Sequence, residues 1–245
     1  MIKKILLTRP AGFNDEIAAA LQARKTQVVQ ARLVQIQELN LATAQRPPDG
    51  YLDPEQYIIF TSQNAIDYAG DLIPQLARAA KTNVFAVGPA TKMRLEALGI
   101  LAIAPDRPGS EPLLSLPVFA APFAKKVLIV TGRLGRDYLE TTLQDRGATV
   151  ARYECYERVP QRIENLDALI AEGYDAILVT STDILQALSS HLSEVSRRRV
   201  VLCVTASRIA DVARRLGYIQ SPHGTVYNLD CGRAHGMQSC PLNRS

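Results

Sequence analysis

The sequence has no apolar run long enough to cross a membrane. Its longest, such as residues 127–130 and 176–179, fall far short of the roughly 20 residues a bilayer requires. Its four cysteines, Cys155, Cys203, Cys231 and Cys240, show no CxxC spacing, so neither a redox dithiol nor a paired zinc motif is indicated. The three histidines, His191, His223 and His235, form no metal spacing, and no G-x-S-x-G or similar nucleophile motif appears. No metal is expected. Gly132-Arg133-Leu134-Gly135-Arg136 lacks both the G-x-G-x-x-G and the GxxxxGK[ST] patterns, which leaves a basic anion-binding turn with Thr8-Arg9-Pro10 as its repeat partner. Lys3 and Lys4 precede only three apolar residues before Arg9, so the N-terminus reads as a strand rather than an export signal. Reduced thiols and a cytoplasmic location are the expectation. The net charge of +4 suits a small anionic ligand, not nucleic acid, which calls for a concentrated basic stripe. Arg197-Arg198-Arg199 reads as a solvated helix end.

What is present is a chain of 245 residues, 47% hydrophobic, enough for one large or two small domains with a core that needs no disulfide. Short β-branched runs at 4–8, 27–29, 56–61, 84–87, 127–130, 176–180 and 200–204 alternate with helical patterns. Most runs are continuously apolar, as strands buried on both faces of a parallel sheet are. The fold class is α/β. Three segments recur about 120 residues apart. Ile5-Leu6-Leu7 with Val28 lies over Val127-Leu128-Ile129 with Val150. Ile58-Ile59-Phe60-Thr61-Ser62 lies over Ile177-Leu178-Val179-Thr180-Ser181. The segment from Val84 to Thr91 lies over Val201 to Arg208. Two similar domains follow. Periodicity leaves two divisions open: halves in sequence order, or an exchange in which the first segment joins the C-terminal half. In the exchange, residues 31–37 and 151–158, both alternating in polarity, would be the crossings.

Thr61-Ser62 and Thr180-Ser181 end two strands, where open parallel sheets bind ligands and where the free N–H groups of a following helix favour anions. Ser and Thr are also ordinary helix caps. Gly88-Pro89-Ala90-Thr91 and Ala206-Ser207-Arg208-Ile209 form the next turns: Gly88 would admit a close backbone approach, Ser207 could cap and Arg208 could pair with an anion. Tyr153 and Tyr156 lie in the second crossing.

Thr8-Arg9-Pro10, Phe60-Thr61-Ser62-Gln63-Asn64-Ala65, Val87-Gly88-Pro89-Ala90-Thr91, Gly135-Arg136-Asp137-Tyr138-Leu139, Tyr156-Glu157-Arg158, Val179-Thr180-Ser181 and Ser207-Arg208-Ile209-Ala210 together resemble the scattered motifs of the uroporphyrinogen-III synthase family, in family order over about residues 1–220. The resemblance implies the exchanged arrangement: one α/β domain from 1–33 and 160–245, a second from 40–150, and a two-stranded link of 34–39 and 151–159, with a cleft between the domains. It implies closure of hydroxymethylbilane, a linear tetrapyrrole polycarboxylate, with inversion of the last ring and loss of water, by a monomer using no cofactor, in haem and related tetrapyrrole synthesis. Tyr156 matches the family's tyrosine in the second link and is the implied proton or hydrogen-bond donor to the departing hydroxyl. Arg9, Thr61, Ser62, Gly88, Thr91, Gly132, Arg136, Thr180, Ser181, Ser207, Arg208 and Ile209 are the implied substrate contacts. After Tyr218 the chain departs from the family's strand and closing helix; a loop with one short strand near 225–229 is expected. A non-catalytic binder of a small polycarboxylate and a scaffold protein are the competing readings.

Overall fold

A computed structural model of the chain describes residues 3–10, 14–39, 55–79, 83–135, 137–171, 173–174, 176–218 and 226–228. The strands are β1 (Lys4–Leu7), β2 (Gln27–Gln30), β3 (Val34–Glu38), β4 (Tyr57–Phe60), β5 (Asn83–Ala86), β6 (Lys126–Gly132), β7 (Thr149–Pro160), β8 (Ala176–Val179), β9 (Leu202–Val204) and β10 (Val226–Asn228). The helices are α1 (Asp15–Ala23), α2 (Gln63–Asp67), α3 (Leu72–Arg78), α4 (Pro89–Glu96), α5 (Ser110–Leu114), α6 (Tyr138–Asp145), α7 (Leu166–Ala171), α8 (Thr182–His191), α9 (Glu194–Arg199) and α10 (Ser207–Arg215). The chain divides into two compact units, one of Met1–Gln35 with Val159–Ser245 and one of Ile36–Arg158. The boundaries fall inside β3 and β7.

The first unit holds a sheet ordered β10-β9-β8-β1-β2; the second holds β3-β7-β6-β4-β5. β1 pairs with β8 and β4 with β6, all parallel, so the first segment of the chain shares a sheet with the C-terminal half. In the second unit alternate residues divide cleanly between the two faces, as a strand's period of two dictates. Ile58, Phe60, Val84, Ala86, Leu128 and Val130 pack with Ala65, Ile66, Leu72, Leu76 and Leu95 of α2, α3 and α4. Ile59, Phe85, Val127 and Ile129 pack on the other side with Leu113, Leu114, Leu139 and Leu143 of α5 and α6. In the first unit Ile5, Leu7, Ala176 and Leu178 pack with Ala18 and Leu21 of α1.

Sheet register tests the repeat residue by residue. Ile5 pairs with Val28 as Val127 pairs with Val150, and Leu6 with Ile177 as Leu128 with Ile58. The third segment is corrected by one residue. Ile58 pairs with Val84 but Ile177 with Leu202, so Val84 corresponds to Leu202, not Val201. Gly88 then matches Ala206, and both are N-caps, of α4 and α10. The helix ends repeat too. Gly99 and Gly217 take positive φ of 78° and 88°, and Ile100 and Tyr218 return N–H groups to Leu95 and Ala213, closing both helices the same way. Beside β9 the short strand β10 pairs Tyr227 with Cys203; the matching place beside Phe85 is an isolated bridge to Ile103. The remainder of the atypical tail, 219–225 and 229–245, lies outside the described residues.

Candidate functional site at the carboxyl ends of the strands

In the second unit three strands bring four of the expected residues together. β4 ends at Phe60, and Thr61 and Ser62 follow. Ser62 caps α2, its Oγ accepting the Ala65 N–H at 3.1 Å. Thr61 Oγ1 lies 3.1 Å from the Val130 carbonyl and 3.1 Å from Thr131 Oγ1. β6 and β7 run in register to Thr131 and Glu154, then slip, so that Gly132 pairs with Tyr156 and Cys155 is passed over. Such a bulge re-aims side chains. Here it turns the consecutive residues Cys155 and Tyr156 into the same buried cluster.

The Tyr156 hydroxyl then meets Ser62 Oγ at 3.0 Å and accepts from Arg158 Nη2 at 2.9 Å. The Arg158 guanidinium carbon sits 5.1 Å from the ring centre, and Tyr68 lies against the ring at 6.0 Å. Tyr156 as a whole is only 1% exposed. Beside it, the Cys155 thiol points to the carbonyls of Ala65 and Thr131, and burial pushes its pKa up to about 12. That thiol is a packing group, not a nucleophile.

The glycines expected to approach ligand have nearer reasons to be glycine. A Cβ on Gly132 would stand 2.6 Å from Tyr156 Cζ and 2.7 Å from Cε2, so the residue makes room for the tyrosine ring. A Cβ on Gly88 would meet Pro108 Cβ at 2.8 Å. Thr91 is largely buried in the first turn of α4. That turn is tied to the Ser62 turn, since Gln63 Nε2 donates to the Ala90 carbonyl at 3.2 Å.

The first unit holds the other expected contacts. Ser181 caps α8, accepting from the Ile184 N–H at 3.2 Å, with Thr180 half-buried before it. Thr8 is fully buried and its hydroxyl donates to the Leu178 carbonyl. Arg9 follows it, half-buried, and burial lowers its pKa. Ser207 is not a cap, because Ala206 holds that position and Ser207 is the first helical residue. Ser207 and Arg208 are exposed on the opening turn of α10. Ile209 is 0% exposed, so its side chain packs in the core, and its N–H donates to the Ala206 carbonyl. Arg136 lies outside the described residues. The Arg197 cluster is partly structural, since Arg197 donates to the carbonyls of Leu192 and Leu216.

The family model described as uroporphyrinogen-III synthase HemD matches residues 3–221. The chain belongs to this family. It is similar to the uroporphyrinogen-III synthase of Escherichia coli, 29% identical over 228 residues, covering 87% of this chain and 92% of the relative. The Salmonella typhimurium synthase is 28% identical over 225 residues, with the same two coverages of 87% and 92%. Among solved structures, a mutant Thermus thermophilus uroporphyrinogen III synthase superposes with a TM-score of 0.60 at 17% identity, covering 93% of each chain. The Helicobacter pylori uroporphyrinogen-III synthetase gives 0.57 at 16%, covering 91% of this chain and 92% of the other. These likenesses carry the mixed α/β fold with parallel sheets.

Arg158 escaped the expected list of contacts, although its motif was noted. The signal was available. On a strand, residues two apart share a face, so a Tyr-x-Arg in β7 places the guanidinium beside the phenol.

Proposed function

We propose that the chain closes hydroxymethylbilane to uroporphyrinogen III, inverting the last pyrrole ring and releasing water, as a cyclising lyase of tetrapyrrole synthesis. The family match over residues 3–221 carries this reading. In it, domains of 1–33 with 160–245 and of 40–150 are joined by the link 34–39 and 151–159, and the substrate occupies a cleft between them. The enzyme works as a monomer, in the cytoplasm, without a cofactor.

The substrate is a polycarboxylate, and it needs anion sites. The opening turns of α4, α8 and α10 each supply backbone N–H groups that have no helical partner. Thr61, Ser62, Thr180, Ser181, Ser207, Arg208, Arg9 and Arg136 are the residues assigned to hold it.

Hydroxide is a poor leaving group, so loss of the hydroxyl needs a proton. Tyr156 is assigned as its source. The azafulvene cation that results is attacked by the substituted carbon of the last ring, giving a spiro intermediate. That intermediate fragments and recloses in the inverted sense. Without the enzyme, the chain end closes directly. The protein's work is therefore mostly positioning: it holds the conformer in which attack at the substituted carbon wins.

The test is to supply fresh hydroxymethylbilane, oxidise the products and separate the isomers. Isomer III well above the enzyme-free control is the expected result. Isomer I alone, from folded protein, overturns the reading and leaves a non-catalytic binder.

A further inference from the structure

Tyr156 is 1% exposed, and a donor with so little surface needs an intermediary. The hydrogen bonds around it have a direction. A guanidinium donates and never accepts. Arg158 Nη2, 2.9 Å away, therefore occupies a lone pair of Tyr156 Oη, and the phenol's own O–H points elsewhere. Ser62 Oγ, at 3.0 Å, is an acceptor within its reach, and the relay assigns the O–H to it. Ser62 Oγ also accepts the Ala65 N–H at 3.1 Å. A hydroxyl oxygen has two lone pairs, and both are then in use. The Ser62 O–H is left to donate outward, from a residue that is only half-buried. Neighbouring hydroxyls do not compete for that position. Thr61 Oγ1 lies against the Val130 carbonyl and Thr131 Oγ1, and the Cys155 thiol points inward.

We propose that Ser62 hands the proton to the departing hydroxyl, that Tyr156 refills Ser62, and that Arg158 fixes the direction of this chain. The proposal rests on the assignment of Tyr156 as the proton source. The steps balance. The substrate's carbon–oxygen bond breaks and its electron pair leaves with oxygen, which takes the Ser62 proton and departs as water. Ser62 Oγ takes the Tyr156 proton, leaving a phenolate beside the Arg158 guanidinium. The ring carbon that finally closes the macrocycle loses its proton as the pyrrole regains aromaticity. That proton returns along the same chain to Tyr156. One water is released and no net proton is consumed. Ser62 is the catalytic residue in this scheme; Tyr156 and Arg158 act through it.

The experiment measures kcat and KM for isomer III with the full chain carrying Ser62→Asn, Ser62→Gly, Ser62→Thr, Tyr156→Phe, Arg158→Lys and the Ser62→Asn/Tyr156→Phe pair. Asn keeps a capping oxygen without a hydroxyl, Gly is tolerated at a cap, and Thr keeps both functions. Thermal melts accompany each variant. The expected result is a fall in kcat of about 10- to 100-fold for Ser62→Asn, Ser62→Gly and Tyr156→Phe, larger than the rise in KM that loss of a substrate contact at Ser62 brings. Ser62→Thr stays within about threefold of the parent, and the pair is no slower than its worse member, because the two residues act as one unit. Arg158→Lys, which loses the planar fork, lowers kcat and leaves KM near the parent value. If both hydroxyl-free Ser62 variants keep kcat while Tyr156→Phe loses it, the relay is wrong and Tyr156 donates directly. A pair whose loss is the product of the single losses also overturns the relay. Unchanged kinetics in Tyr156→Phe overturns the Tyr156 assignment itself, and the relay with it.

Discussion

Ser62 and Ser181 occupy the same place in the two units. Each follows a threonine at the end of an apolar strand, each has extended backbone, and each caps the next helix through its Oγ. Behind Ser62 stand Tyr156 and Arg158; among the described residues no tyrosine stands in the matching place behind Ser181, because the strand that would supply it stops. β2 ends at Gln30, whereas its counterpart β7 runs on from Thr149 to Pro160. Gly132 shows the same asymmetry. The matching residue in the first unit is Pro10, which has a side chain of its own. Duplication thus provides two similar serine-capped turns, and a longer strand with one bulge sets a tyrosine and an arginine behind one of them.

The largest expected difference between the units lies in alkali. Burial raises the pKa of Cys155 in the second unit from 9.0 to about 12 and that of Tyr218 in the first from 10.0 to about 12. Both groups are held neutral in the fold, so the folded state binds the proton more tightly than the unfolded one. Their stabilisation is complete below the unfolded pKa and is lost as pH rises toward the folded one. Each group contributes a slope of about 1.4 kcal/mol per pH unit across its window. The second unit should weaken from about pH 9 and the first from about pH 10. Hydrogen exchange, corrected for intrinsic rates and read unit by unit, checks this, and Cys155→Ala should flatten the slope in the second unit only. A slope in the second unit that is unchanged in Cys155→Ala would contradict it.

Gly132→Ala attacks the asymmetry directly. The new methyl would stand 2.6 Å from the Tyr156 ring and force it away from Ser62. Overpacking of this kind costs about 1–3 kcal/mol. Turnover should fall at least as far as in Tyr156→Phe, since the phenol is displaced as well as crowded. A variant of parental stability and activity would mean that the ring has room to move.

How much of this was legible beforehand differs from element to element. The strands were, because runs such as Ile177-Leu178-Val179 are apolar throughout. The register of the first two repeats was also legible, fixed by matching polar residues at both ends. The third slipped by one. Val200 to Val204 is a five-residue apolar run against which Val84-Phe85-Ala86 slides freely, and a strand buried on both faces has no alternation to fix its register. That slip placed Arg208 opposite Thr91, whereas the sheet register matches Thr91 with Ile209 of α10. Tyr156 was recoverable only through family resemblance, since a tyrosine on an alternating strand is ordinarily packing. The reason for Gly132 could not be read at all: its contact is with a ring distant in sequence, brought in by the bulge.

The two caps give a smaller and sharper contrast. Ser181→Ala should cost about 1 kcal/mol, the usual worth of a serine cap. Ser62→Ala should cost that and a further 0.5–1.5 kcal/mol or so, because Tyr156 Oη loses a partner inside the fold. Urea unfolding of both variants measures the difference. Equal losses would show that the Ser62–Tyr156 bond adds nothing to stability and exists only for what it does in the site.

The smallest effect concerns the turn after β6. Leu134 has φ of +57° and is 94% exposed. A left-handed backbone costs a branched L-residue roughly 1–2 kcal/mol, and no burial of the side chain offsets it here. Leu134→Gly removes that strain but adds freedom to the unfolded chain, worth roughly 0.5–1 kcal/mol in the other direction. The net expectation is a gain of a few tenths to about 1 kcal/mol. Asn165, with φ of +59° in the first unit, is a residue type that tolerates this conformation, so Asn165→Gly should gain less. If Leu134→Gly instead loses stability, the leucine has a partner that its exposure conceals.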